Sequence, residues 1–359
     1  MTLFRYSILL SCLLLSVGYV TQAQSKQQLH SLLGNMPAKP HERPDTLEKL
    51  RIDNGWRYHL KFLAEDSSTL LHTPKDFIYA YLFVPDAAAR QKLPGMVAIH
   101  QDGSHNYLGY LETAGIAGDA DQHYGLELYT RGYIVICPDR FLHNKRRRIA
   151  NPDTLADVFD KADLAEQHWV GQLLSTGRNF IGKEVYDLML ATDVLMETQG
   201  IDRKRIGAVG HSAGGQILPY FMFADRRITA GISSCGVVEQ ADWFAEDAIS
   251  KRNLLAVIPS FTLLARTSDF MGRLAPRPLL LTRGLFEWGK ENSRQRENSK
   301  RHVASTLQLV EESTVAYKAK NVGEHLQTIY FDEEGGRHSF PPGVKAKAFG
   351  WLDKYLKTP

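Results

Sequence analysis

Arg205-Ile206-Gly207-Ala208-Val209-Gly210-His211-Ser212-Ala213-Gly214-Gly215 decides how this 359-residue chain is read. A short apolar run, Ile206 to Val209, leads into Gly-x-Ser-x-Gly and then into residues that open a helix. That is the strand–serine–helix context of a nucleophile elbow. The chain must pass from strand to helix within about one residue, which holds the central serine in a strained conformation. Side chains two positions before and after Ser212 would collide, so Gly210 and Gly214 flank it, and Gly215 lets the helix lie close to the sheet. The turn lifts the Ser212 hydroxyl clear, and the helix N-terminus beneath it favours developing negative charge.

Outward from this stretch, the segments Met96 to Ile99, Tyr133 to Cys137, Ile206 to Val209, Ala230 to Ser234, Pro278 to Thr282 and Leu326 to Phe331 are short and mostly apolar. Such runs suit parallel strands covered on both faces. Helical stretches lie between most of them; the clearest is Ile181 to Thr198, with Ile181, Val185, Leu188, Thr192 and Leu195 at helical spacing and Gly200 as its stop. The pattern predicts an α/β fold, a three-layer α/β/α sandwich around a mostly parallel, doubly wound sheet of about eight strands. In such sheets the sites lie beyond the C-terminal strand ends.

Upstream, Trp56 to Leu63 and Phe77 to Val84 alternate like strands and are expected to pair antiparallel at the sheet edge. Residues 24 to about 50, with Pro37, Pro40 and Pro44, read as an irregular or short-helical lead-in. The expected organisation is a lead-in with a first edge strand over 24–75 and the main domain over 76–359. Residues 143–180 are too long for a plain connection and are expected to form a cap-like helical excursion. Lys145-Arg146-Arg147-Arg148 opens that insertion and reads as a solvated basic loop, with an anion clamp as the alternative.

At the N-terminus a short positive start precedes the apolar run Tyr6 to Val20, too short to span a bilayer comfortably, and then Thr21-Gln22-Ala23. Residues 1–23 therefore read as a signal peptide cleaved before Gln24, which places the mature chain in a secreted or periplasmic location with no membrane span. Cys12 leaves with the signal; Cys137 and Cys235 are expected as buried free thiols on strands that are not neighbours. A net charge of +3, with no basic stripe, zinc spacing or phosphate loop, gives nucleic acid no support as a partner. Nothing in the residues speaks to oligomeric state.

A serine hydroxyl needs a base beside it. Among thirteen histidines, His338 follows the last core strand and so reaches the rim where Ser212 sits. By the same rule His325 belongs at the opposite face, His302 falls in a helix, and His211 points away from Ser212. The imidazole needs a carboxylate to fix its tautomer. Glu287, in the loop after Pro278 to Thr282, is the preferred one, with Glu291 and Asp332 as competitors. The oxyanion needs two backbone donors. Ala213 N–H is one; the other is Gln101 or Asp102 N–H in His100-Gln101-Asp102-Gly103, a loop that His100 buttresses.

Pro94-Gly-Met-Val-Ala-Ile-His100-Gln101, Arg131-Gly-Tyr-Ile-Val-Ile-Cys-Pro-Asp139, Gly200-Ile-Asp202-Arg-Lys-Arg-Ile-Gly-Ala-Val-Gly-His-Ser212 and Ala275-Pro-Arg-Pro-Leu-Leu-Leu281 together resemble the dienelactone-hydrolase-like and acetyl xylan esterase-like branch of the α/β-hydrolases over roughly residues 76 to 355. The order Ser212, Glu287, His338 is that superfamily's order of nucleophile, acid and base. The resemblance implies a secreted carboxylic ester hydrolase, acting through an acyl-enzyme on small-molecule or glycan esters, with no metal and no organic cofactor. Two positions depart from the pattern: Gln101 stands where a glycine is common, and glutamate where aspartate is more usual. Ser212 in place of a cysteine nucleophile argues against diene lactones. The alternatives are a serine peptidase of prolyl oligopeptidase type, for which too few residues precede the first strands to form a propeller, and a non-catalytic binding protein on the same scaffold.

Overall fold

Neighbouring residues along each core strand bury opposite faces. Val97 and Ile99 join one apolar cluster, with Ile134, Ile136, Ile206, Ala208 and Leu279. Met96 and Ala98 join the other, with Val135, Val209, Ala230, Ile232 and Leu280. Strands that are apolar on both sides need cover on both sides, and the computed structural model of the protein supplies it. The structure describes residues 25–102, 107–147, 155–244 and 251–357. The expected signal peptide, Cys12 and Arg148 lie outside the described residues.

In chain order the strands are β1 (Asp45–Ile52), β2 (Gly55–Glu65), β3 (Asp76–Pro85), β4 (Leu93–Ile99), β5 (Ile134–Pro138), β6 (Ile201–His211), β7 (Ile228–Ser234), β8 (Leu279–Gly284) and β9 (Leu326–Phe331). The helices are α1 (Lys26–Leu32), α2 (Tyr110–Thr113), α3 (Tyr124–Thr130), α4 (Leu155–Ser175), α5 (Phe180–Glu197), α6 (Ala213–Ala224), α7 (Phe261–Leu264), α8 (Thr267–Gly272), α9 (Ser293–Lys318) and α10 (Pro342–Leu356). The sheet runs β1-β2-β3-β5-β4-β6-β7-β8-β9. Its first three pairings are antiparallel and the rest parallel. Helices α5, α6, α8 and α9 bury one face of the sheet, and α3 and α10 the other. The chain leaves β4 towards β5 on one side and β6 towards β7 on the other, so β4 and β6 form the switch point where a crevice opens.

The expected three-layer sandwich is therefore present, with nine strands among the described residues where about eight were predicted. The extra strand corrects the reading of the lead-in. β1 is exposed along nearly its whole length, so it shows none of the alternation that reveals a half-buried strand. It makes β1, rather than β2, the sheet edge. Its turn did carry a signal: Asn54 has φ +59° and precedes Gly55, a residue pair that favours tight hairpins.

The predicted helix over 181–198 is α5, with Ile181, Val185, Leu188, Thr192 and Leu195 all buried. Asn179 caps it by accepting a hydrogen bond from Gly182 N at 2.8 Å. The segment before it corrects a second expectation. Lys145 is exposed, but Arg146 is buried and is no part of a solvated loop. Its guanidinium bridges Asp76 at 2.5 Å and Asp187 at 2.7 Å, and Lys183 pairs with the same two carboxylates at 2.8 Å. The cluster ties β3 and α5 to the chain that follows β5. From there, Val170 and Leu173 of α4 pack with Phe141, Leu142, Phe180 and Leu255. Cys137, on β5, and Cys235, just past the end of β7, are free and buried, and those two strands are not neighbours.

Removing one partner of a buried ion pair leaves charge without compensation and costs about 3–5 kcal/mol. Arg146→Met is expected to lower the unfolding free energy by about that much in urea titration; a midpoint equal to wild type would show that the cluster contributes nothing.

Candidate active site

β6, β7, β8 and β9 are consecutive parallel neighbours, so the loops at their C-terminal ends share one rim. β6 ends at His211, and Ser212 has φ +54° and ψ −122° before α6 begins at Ala213. A Cβ on Gly210 would stand 2.3 Å from the Gly214 carbonyl carbon, and one on Gly214 2.3 Å from Ile99 O. Only glycine allows the approach. Ser212 N donates to Ser234 O at 2.8 Å, which fixes the turn to β7.

The loop after β9 turns through Gly335 and Gly336, both at positive φ, and delivers His338 to the same place. Phe286 N donates to Gly336 O at 2.8 Å, so this loop is stitched to the one after β8. His338 Nε2 lies 2.7 Å from Ser212 Oγ, and His338 Nδ1 lies 3.3 Å from Glu287 Oε2. Glu287 Oε2 also accepts from Arg283 Nη1 at 2.6 Å, and Oε1 accepts from Gly284 N at 3.1 Å. Burial pushes the Glu287 carboxyl up, but the Arg283 guanidinium and the hydrogen bond with His338 outweigh it and hold the group well below the usual carboxylate range. Of the competing acids, Glu291 is exposed and lies 3.7 Å from Arg337, and Asp332 is exposed. His211 is buried beneath, with Nδ1 2.9 Å from Ser234 Oγ; burial, then the nearby His338, keeps it neutral. His325 sits at the start of β9, and His302, on α9, lies 5.3 Å from the Trp288 ring.

Ala213 is the first residue of α6, where a backbone N–H has no acceptor within the helix. Across the crevice the 100–102 loop follows β4 and is bound to the loop after β5. Arg140 N donates to His100 Nε2 at 2.9 Å, so Nδ1 carries the proton and donates to Gln101 O at 2.7 Å. Burial holds His100 neutral. Arg140 Nη1 donates to Asp102 Oδ1 at 2.7 Å, and His143 Nε2 lies 3.0 Å from the same oxygen. Arg140 Nη2 donates to Glu184 Oε2 at 2.9 Å. Burial raises the Glu184 carboxyl to about 7. Gln101 Nε2 donates to Glu112 Oε2 at 3.1 Å.

All six site residues expected from the sequence, Gln101, Asp102, Ser212, Ala213, Glu287 and His338, line one open cleft of about 800 Å³. Its other walls are apolar at Phe180, Ile181, Val238 and Leu255, and polar at Asp119, Asp121 and Gln122. A hydroxyl, an imidazole and a buried carboxylate in this order can move a proton from the hydroxyl to the ring as the oxygen attacks an electrophile. Sequence reading passed over Arg283, Arg140, Glu184 and the half-exposed Trp288. Arg140 and Arg283 both stand at the C-terminal ends of core strands, the positions the topology rule singles out.

Glu287 ionises more readily in the folded chain than in the unfolded one. Its contribution to stability is therefore complete above the ordinary value of 4.5 and is lost as the pH falls below it. Glu287→Gln is expected to flatten the decline of unfolding free energy below about pH 4.5 relative to wild type; identical acid limbs would contradict the depressed carboxyl.

Residues 175–255 match the model of the prolyl oligopeptidase family. A Bacillus subtilis protein named "Putative hydrolase YtaP" is 24% identical over 275 residues, which cover 74% of this chain and 81% of that protein. Among solved structures, a "putative acetyl xylan esterase" from Bacteroides fragilis superposes with a TM-score of 0.69 at 16% identity, over 93% of this chain and 86% of the other. A glucuronoyl esterase from Solibacter usitatus gives a TM-score of 0.59 at 12% identity, over 91% of both chains. With its sheet order, its serine turn after β6 and these likenesses, the chain has the α/β-hydrolase fold.

Proposed function

We propose that this protein is a serine carboxylic ester hydrolase that works through an acyl-enzyme. The observation that carries the reading is the 2.7 Å approach of Ser212 Oγ to His338 Nε2, with Glu287 on the far side of the ring. In this mechanism Ser212 Oγ attacks the ester carbonyl while His338 takes its proton. Glu287 holds the imidazole in the tautomer that accepts at Nε2 and stabilises the imidazolium. Ala213 N–H and a backbone N–H of Gln101 or Asp102 receive the oxyanion. His338 then protonates the leaving alcohol, and in the second half it activates a water that releases the acid.

Glycan-borne esters are the substrates we favour. The cleft is open, and Trp288 offers a half-exposed aromatic face at its wall for the apolar face of a sugar ring. The names of the structural neighbours, acetyl xylan and glucuronoyl esterases, point the same way. Export through residues 1–23 fits a substrate outside the cell. Among the described residues no helix is long and apolar enough to cross a membrane. The family-model match over 175–255 favours a second reading, a prolyl oligopeptidase type of peptidase, because that segment contains Ser212. Turnover of 4-nitrophenyl acetate against a proline anilide peptide separates the two.

Ser212→Ala is expected to lower ester turnover by about 10⁶-fold and to abolish labelling by a fluorophosphonate probe. A variant that keeps most of its activity, or a folded wild type that the probe leaves unmodified, would sink the acyl-enzyme reading. Arg140 acts as a positioning residue, because it holds the 100–102 loop through Asp102 and His100. Arg140→Met is expected to lower kcat by about 10²-fold, the scale of a lost oxyanion donor, with KM changed little. A folded variant with unchanged kcat would show that the loop keeps its shape alone.

A further inference from the structure

We propose that Cys235, Glu287 and His338 form a binding site for one thiophilic divalent cation of the Zn²⁺ class, and that an ion held there reversibly silences Ser212. The silencing rests on the hydrolase reading above; the binding does not. The three side chains come from the loops after β7, β8 and β9, whose parallel packing brings their ends together. A ligand atom from each, the Cys235 thiol sulfur, a Glu287 oxygen and a His338 nitrogen, lies within 4.8 Å of the other two. The His338 Nδ1 to Glu287 Oε2 separation, 3.3 Å, equals the edge of a tetrahedron with metal–ligand bonds of about 2.0–2.1 Å. Thiolate, imidazole and carboxylate are the ligand types zinc takes, and all three residues line the cleft. Cys235 is held at φ +50°, in the left-handed region that favours glycine, the kind of backbone strain that clusters at functional positions.

Arg283 already donates to Glu287 Oε2 at 2.6 Å. An ion must share that oxygen with a guanidinium, which penalises cations whose only gain is attraction to oxygen. Magnesium and calcium, which seek six or more oxygen ligands, are excluded; an ion that gains a bond to thiolate is favoured. On binding, the thiol releases its proton to solvent, the metal takes the Nδ1 lone pair, and the proton of the imidazole resides on Nε2. Nε2–H then faces Ser212 Oγ as a donor and can no longer accept its proton.

The test uses the full chain carrying Cys12→Ser, stripped with EDTA and titrated with Cd²⁺, Zn²⁺ or Mg²⁺. Cd²⁺ is expected to produce a thiolate-to-cadmium absorption band at one ion per chain. Hydrolysis of 4-nitrophenyl acetate should fall in step with the band, return with EDTA and ignore Mg²⁺. Cys235→Ala should remove the band and raise the inhibitory concentration about tenfold or more, relative to its own metal-free rate. His338→Gln, which keeps the thiol, should weaken the band's affinity by a similar factor, and Ser212→Ala should leave it intact. Absence of the band in the folded chain, or inhibition of Cys235→Ala at the wild-type concentration, would overturn the proposal. A chain that binds Cd²⁺ this way yet hydrolyses nothing when metal-free would keep the site and discard the hydrolase reading.

Discussion

β6 has to become α6 in a single step, and the rest of the molecule is arranged around that turn. At φ +54° Ser212 occupies a region that side-chain-bearing residues avoid, so the surroundings must overdetermine it. They do so sterically, through backbone that leaves no room for a Cβ at Gly210 or Gly214. They also do so by hydrogen bonding, through the link from Ser212 N to β7. The strain is borne by a turn whose neighbours belong to the most buried strands of the sheet. A turn of this kind on an edge strand would have one flank unsupported.

The buried charges of this protein come in sets. Glu287 sits with Arg283; Arg140 sits with Asp102 and Glu184; Arg146 sits with Asp76, Asp187 and Lys183. A lone ion at such depth would be neutralised by its cost of desolvation. Two of the sets link separate elements, the loops after β4 and β5 through Arg140, and β3 to α5 through Arg146, whereas Arg283 and Glu287 are four residues apart on β8 and the loop that follows it. Such pairs contribute little net stability against an apolar replacement. What they supply is direction, since guanidinium geometry fixes where a carboxylate points.

Most of the parallel half of the sheet was readable because its strands are apolar on both faces, as Met96 to Ile99 and Leu279 to Leu281 illustrate; β9, at the margin, buries only its end residues Leu326 and Phe331. The order of Ser212, Glu287 and His338 could be placed for a topological reason: each follows a core strand, and all core strands point one way. β1 was illegible, because a strand with both faces in water carries no burial pattern. Arg146 was misread because a run of basic residues gives no hint that one member has two buried carboxylates waiting, from β3 and α5. Arg140 and Glu184 were missed for the same reason. Their meaning lies in partners far away in sequence, and only folding assembles the pairs.

β1 has one further effect. Asp45, Glu48, Lys49 and Arg51 place charge of both signs along the outermost strand. A sheet that ends in unpaired backbone groups invites a second molecule to add its own strand. Here any newcomer would have to desolvate those ions on both sides of the ribbon at once. Among the described residues β1 is the outermost strand at this margin, and the hairpin acts as a selvedge whose charges raise the cost of adding a further strand there.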